Sequence, residues 1–363
     1  MSFLKNIFSS KKDNLSNNQQ FWDWFVQNEK TFYNAIKSSD NIQGGFVNKF
    51  SPKLSELNES FHFLAGMLDE NTAEIIFTAD GKIQTLVFIE ELVESAPNIP
   101  AWKFTAHKQS MDTSRYSVDM GGIKFGNETI SFYSNENPAY PDEIDITIVH
   151  PDYNERQKDT FYNGVYIFLD NHLGELNSVS MIDKVTVIGP SQAAKELIPV
   201  EKLHSFLTWR EKEFVEKHKS VWRESDKNNY SILEAQQENG NALIAVINTD
   251  LLNWDAKASH PWMMIVLLKY DGSLNNGMPD EKTYQALGDI EEEILTQLKD
   301  SEGYLNIGRQ TCEGEREIFF ACKEFRKPSK VLDTIAKKYP QYETSFEIFK
   351  DKYWMSMEHF NQD

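Results

Sequence analysis

Two arginines, Arg309 and Arg316, flank the Glu313-Gly314 pair in the stretch NIGRQTCEGEREIFFAC. An arginine offers five donors in a planar fork that matches a carboxylate or phosphate bidentately, so a pair on neighbouring strands can clamp an anion. The competing reading is cross-strand pairing with Glu315 and Glu317, which would neutralise both charges within the protein. The same stretch holds both cysteines of the chain, Cys312 and Cys322. With Glu313 and Gly314 at a hairpin tip, Cys322 lies far down the return strand, roughly 23 Å away at about 3.3 Å per residue. A disulfide needs Cα atoms within about 7 Å. The thiols are therefore read as separate, and Cys322 as a buried apolar side chain.

In the first half, His150, Asp152 and Glu155 follow a strand that Pro151 closes, and can converge as an acid–base or metal-ligand group. The bland alternative is that Pro151 simply ends the strand. No HExxH, CxxC or GK[ST] occurs, and the glycines of MGGIKFG are wrongly spaced for a phosphate loop. No catalytic residue, cofactor or metal is assigned. The acidic run Asp289, Glu291, Glu292 and Glu293 reads as a solvated helix face, with cation attraction the alternative.

These residues need elements to position them. FWDWFVQNEKTFYNAIK, with Phe21, Phe25, Phe32 and Ile36 at helical spacing, predicts a helix. PKLSELNESFHFLAGML predicts a second helix, AEIIFTAD a strand, and IQTLVFIEELVESA a helix. WKFTAHK, TISFYS and DEIDITIVH predict strands, DTFYNGVYIFLDNHLG a helix ended by Gly174, and SMIDKVTVIG a further strand. In the second half, ALIAVINTDLL and PWMMIVLLKYD are strands, and Asp280 caps a helix striped by Tyr284, Leu287, Ile290, Ile294 and Leu298. YLNIGRQTC and REIFFACK form a hairpin, Ser329 caps a helix, and YETSFEIFK closes as a strand.

Each half thus shows β-α-β-β-α-β with one additional strand, the order of a ferredoxin-like sandwich. The expected fold class is α+β: a flexible tail (residues 1–18), a first domain (19–198), a connecting helix (199–225) and a second domain (226–363). The chain has 363 residues, 37 basic against 56 acidic side chains, and a net charge of -19. Nucleic acid recognition needs clustered Lys and Arg, so this balance argues against it and favours a basic protein partner. Two cysteines in so long a chain fit a reducing cytoplasm. No apolar run approaches the roughly 20 residues of a membrane span. Phe3, Leu4, Ile7 and Phe8 share one helical face beside Lys5, Lys11 and Lys12, so residues 1–12 suit at most a weak membrane-surface contact.

The second half resembles the bacterial family called domain of unknown function 695. The resemblance is carried by SVWRES, HPWMMIVLLKYD, NNGMPDEKTYQALGDIEEEIL and GYLNIGRQTCEGEREIFFAC, over roughly residues 218 to 340. The tail IFKDKYWMSMEHF, with Asp351 and Trp354, is also similar to the end of such domains. The family pattern sets Gly277, Pro279, Gly308 and Arg309 where this chain has them; Ala321-Cys322 stands where relatives often have a tyrosine. Members are sometimes joined to a domain similar to the type B protein regulator of ribonuclease E, an acidic protein that works by binding an enzyme. The first half here does not show that regulator's sequence. The resemblance implies a bacterial cytoplasmic protein and assigns no catalytic residue. The expectation is a non-enzymatic binding or regulatory protein. The alternative is a small-molecule or phosphoester enzyme that joins Arg309 and Arg316 to His150 and Asp152.

Overall fold

Aromatic residues at helical spacing begin the first unit. The computed structural model describes residues 3–361, and helix α1 (Phe3–Ser38) buries Phe21, Trp22, Phe25 and Phe32. The apolar face proposed for residues 3–8 concerns side chains outside the described ones. Helix α2 (Asn48–Ser55) follows, then strand β1 (His62–Met67), strand β2 (Ala73–Thr78), helix α3 (Ile83–Glu94) and strand β3 (Trp102–Ala106). They form a sheet of order β1-β2-β3, with β1 antiparallel to β2 and β3 parallel to it across α3. The stretch FHFLAGML, expected to be helical, is therefore β1. Its alternating burial and pairing with β2 outweigh the helical propensity of its leucines.

Strands β4 (Ser117–Met120) and β5 (Ile123–Gly126) make a separate hairpin. Gly121 and Gly122 turn it with φ of 62° and 82°, which is what the glycines of MGGIKFG are for. Strands β6 (Ser131–Asn135) and β7 (Asp145–Val149) precede helices α4 (Lys158–Leu173) and α5 (Glu175–Met181). With β8 (Lys184–Ile188) and β9 (Ile198–Pro199) they build a second sheet of order β8-β7-β6-β9. Its core holds Phe125, Phe132, Ile146, Ile148, Phe161 and Phe168. The strands of this half thus divide among separate sheets, and the expected single ferredoxin-like sheet does not form there.

Between α4 and α5 the chain turns at Gly174, where a Cβ would meet Ser110 N at 2.9 Å. Glu175, fully buried, follows this turn. Its Oε1 accepts from the backbone N–H of Ala79 and Gly81 at 3.0 and 3.1 Å, and its Oε2 from Lys108 N–H at 3.3 Å. One carboxylate thereby fixes the chain just after β2 and just after β3.

The boundary between units falls within helix α6 (Leu203–His218), and the second unit also includes Asn137–Glu143. Its sheet takes β10 (Tyr230–Gln236) and β11 (Ala242–Asn248), a hairpin whose first strand was not apparent in the sequence. The short helix α7 (Thr249–Leu252) leads to β12 (Trp262–Lys269), helix α8 (Glu281–Gln297), β13 (Tyr304–Cys312) and β14 (Glu315–Cys322). Helix α9 (Arg326–Lys338) and β15 (Ser345–Lys350) complete it. The sheet order is β10-β11-β13-β14-β12-β15, antiparallel throughout. Ser329 does not cap α9: it lies inside the helix and donates to Phe325 O.

Alternation along the strands divides the side chains between two layers. One face carries Met263, Leu305, Ile307, Phe319 and Ala321, covered by Leu251, Leu252, Trp354, Met357 and Phe360. Asp351 organises that C-terminal cover by accepting from the backbone N–H groups of Met355 and Ser356, and Trp354 Nε1–H donates to His260 O. The other face carries Met264, Val266, Ile318 and Phe320, all buried, as are Leu287, Ile290 and Ile294 of α8.

Candidate functional site

Arg316 lies on β14, in step with Ile318 and Phe320, so its side chain belongs to the layer that α8 covers. Arg309 reaches that layer through an irregularity. Along β13, Leu305 and Ile307 point to the opposite core, and strict alternation would send Arg309 after them. The register instead shifts between Asn306 and Gly308, so that Gly308 faces Phe319 and Arg309 faces Ile318. This bulge reverses the faces of everything after it. Gly308 is obligatory there: its φ is 145°, and a Cβ would stand 2.2 Å from Val246 O.

The start of α8 is fixed against the hairpin tip. Glu313 and Gly314 turn with φ of 48° and 80°, as the sequence indicated. Gly314 N–H donates to Gly277 O at 2.8 Å, and Tyr270 Oη–H donates to the same carbonyl at 2.9 Å. Gly277 has no room for a Cβ, which would meet the Glu313 backbone at 2.8 Å. Asp280 then caps α8 by accepting from Thr283 N–H at 2.7 Å.

Between α8 and the sheet lies a cleft of about 330 Å³, with Arg309 and Arg316 on its floor and Tyr284, Gly288, Glu291 and Leu295 on its helical wall. Arg309 Nη1–H donates to Glu291 Oε1 at 3.0 Å. Arg316 Nη1 lies 3.9 Å from Glu291 Oε2, and its Nε–H donates to Thr311 Oγ1 at 3.2 Å. The Tyr284 ring stands 5.2 Å from the Arg316 guanidinium, a cation–π distance. Arg316 is 2% exposed and Glu291 6%, whereas the Arg309 side chain is 30% exposed. Burial draws the Arg316 pKa below its usual value, while the Glu291 charge works the other way.

These contacts correct two expectations. The arginines do not pair with Glu315 and Glu317. Alternation places those glutamates on the other face, where Glu315 meets Lys269 at 3.2 Å and Glu317 accepts from Gln310 at 2.7 Å. Nor is the acidic run of α8 uniformly solvated. Glu291 follows Leu287 by one helical turn and falls within the apolar stripe, and Glu293 accepts from Lys338 and Tyr339 at 2.6 and 2.7 Å. Asp289 and Glu292 remain exposed at the rim. Tyr284, Thr311 and Gly288 are site residues that the sequence did not mark as binding groups, and Glu291 was marked only within an acidic run that could attract a cation. The carboxylate one turn after Leu287 was the available signal.

His150 and Asp152 lie in the first unit and the arginines in the second, so neither unit brings the four together. His150 is fully buried. Its Nδ1 accepts from Asp152 N–H at 3.2 Å, which places the ring proton on Nε2, 2.9 Å from Lys124 O. Rings of Phe125 and Phe161 pack against it. The imidazole here closes the end of β7. The two cysteines are free thiols, set at opposite ends of the hairpin, with Cys312 opposite Glu315 and Cys322 opposite Tyr304. Burial pushes the Cys322 thiol well above its usual pKa. Among the described residues, no group of three or more His, Cys, Asp or Glu side chains is placed to hold a metal ion, and no helix is long and apolar enough to cross a membrane.

The sheet, both covering helices and the C-terminal segment form one block of sequence. Residues 229–360 match the Family of unknown function (DUF695). The matched DUF695 segment contains the whole cleft, together with the β10–β11 hairpin and the Trp354 cover of the opposite face. No curated protein and no solved structure matches the chain.

Proposed function

We propose that this chain is a non-catalytic binding protein whose DUF695 segment holds an anionic group, best matched by a carboxylate, in the cleft beneath α8. One observation carries the reading: two guanidiniums share a single buried carboxylate, Glu291, on the floor of an open cleft. Against Glu291 alone the two guanidiniums leave one positive charge at the floor, which a monoanionic carboxylate balances, with Asp289 and Glu292 at the exposed rim. A phosphate, at about −1.5 to −2, would exceed it, beside exposed Asp289 and Glu292. Gly288 supports the reading. A mid-helix glycine costs about 1 kcal/mol relative to alanine, yet nothing lies within 4 Å of where its Cβ would be. Its effect is to keep the wall of the cleft open.

Glu291 is committed to the arginines and Tyr284 to the Arg316 face, which suits holding a ligand better than moving a proton. The net charge of -19 suits a partner that is basic outside the bound group. The reading also takes β12-α8-β13-β14-α9-β15, ordered β13-β14-β12-β15, as a ferredoxin-like sandwich with the β10–β11 hairpin added at its edge. The test is titration with acetate and with phosphate, following the arginine Nε–H resonances. Saturable shifts with acetate that disappear in Arg309→Gln are expected. Unmoved resonances, or turnover of a substrate that Arg309→Gln abolishes, would overturn the proposal.

A further inference from the structure

The cleft does not end at Arg309. Across the sheet, Arg309 faces Val246, and Val246 faces Ile232. One step along, Thr311 faces Ile244, and Ile244 faces Glu234. These residues lie on the α8 side, because Leu233, Leu243, Ala245 and Ile247 belong to the opposite core. Ile232 is 68% exposed on this face, and Val246 and Ile244 are partly exposed. On the helix that borders the strip, Leu295 is exposed as well.

An apolar strip one helix wide thus runs beside α8. From β13 to β10 is two strand spacings, about 10 Å. Helices pack side by side at about 8–10 Å. The strip over β10 and β11 therefore has the width of one more helix. Its charge pattern is defined too: the surplus positive charge lies at the inner edge, and the carboxylates of Asp289, Glu292 and Glu234 lie around it.

Resting on the anion reading above, we infer that this strip is a docking groove for an amphipathic helix of a partner protein. That helix carries one acidic residue within its apolar stripe, to meet Arg309, and basic residues at its flanks, to meet the rim. Its apolar side chains cover Ile232, Ile244 and Val246. Helix-in-groove recognition works through such anchors at helical spacing.

The test compares acetate with a blocked helical peptide that has leucines along one stripe, a central glutamate in that stripe and lysines at both ends. A second peptide replaces the glutamate by glutamine. Burying even one or two leucines supplies more than about 1.4 kcal/mol, so the glutamate peptide binds at least about tenfold more tightly than acetate. The glutamine peptide keeps the leucines but lacks the carboxylate and binds more weakly than the glutamate peptide. The gain over acetate is also reduced in Ile232→Ser, which removes apolar contact without adding a charge near Arg309 and so keeps acetate binding. Acetate binding with no gain from the peptide overturns this inference and leaves the anion reading standing. Binding of neither probe overturns both. Equal binding of the two peptides overturns the role of the acid. If sedimentation shows a dimer that Ile232→Ser dissociates, the occupant is a second copy of the chain, and the inference fails.

Discussion

Two buried glutamates, one in each unit, are satisfied in opposite ways. Glu175 accepts from three backbone N–H groups that belong to fixed turns after β2 and β3. Glu291 is met by two guanidiniums on flexible stems. Backbone donors cannot leave without moving the chain, so the first carboxylate is part of the framework. Side-chain donors can turn toward another acceptor, so the second can share its partners with a ligand. Burial alone does not separate the two carboxylates; the kind of donor that meets each one does.

The strongest way to break this comparison is to remove the framework carboxylate. Glu175→Ala leaves one buried and two partly buried N–H groups without their acceptor and is expected to cost about 3–5 kcal/mol in denaturant unfolding. Acetate should restore none of it. A loss below about 1 kcal/mol would mean that water or a neighbour replaces the carboxylate.

Acid should weaken the second unit by a separate route. Burial lowers the His260 pKa from 6.5 to about 3, so the unfolded chain binds a proton there that the folded chain refuses. That contribution is complete above pH 6.5 and is lost as pH falls toward 3, at about 1.4 kcal/mol per unit. A His260→Asn variant should flatten that slope, as measured by urea unfolding between pH 7 and pH 4.

Glu291→Gln sharpens the contrast. It removes one charge but keeps an acceptor, at a cost of about 2 kcal/mol. It also leaves both guanidiniums without a counter-charge, so acetate should bind several-fold more tightly and recover part of the lost stability. No gain in affinity would place Glu291 with Glu175, as framework. The smallest effect is expected at the cleft wall. Gly288→Ala should stabilise α8 by about 0.5–1 kcal/mol, while Gly288→Leu should fill the cleft and weaken acetate binding without touching either arginine.

Much of the second unit was legible because its signals were local. The Asp280 cap, the Glu313-Gly314 tip and the spacing of Leu287, Ile290 and Ile294 each fixed an element and its face. The arginines were found by their place near the tip. Their partner was not, since reading Asp289 to Glu293 as a charged run concealed that Glu291 keeps helical phase with Leu287. The first unit was less legible. FHFLAGML carries no periodicity strong enough to separate helix from strand, and its pairing with β2 is decided by tertiary contacts. The Glu175 anchor joins positions 96 residues apart, a relation for which spacing gives no sign.

The bulge at Ile307 and Gly308 has a consequence for how this site can be inherited. Most surface loops tolerate a gained or lost residue, because the change is absorbed in solvent. Strand β13 has no such freedom. Regular pairing through Ile307, with no residue gained or lost, would leave every side chain chemically unchanged, yet turn the Arg309 guanidinium toward the core of Leu305, Phe319 and Ala321. Substitutions can adjust the strength of this site by degrees; a one-residue slip of that pairing removes it in one step.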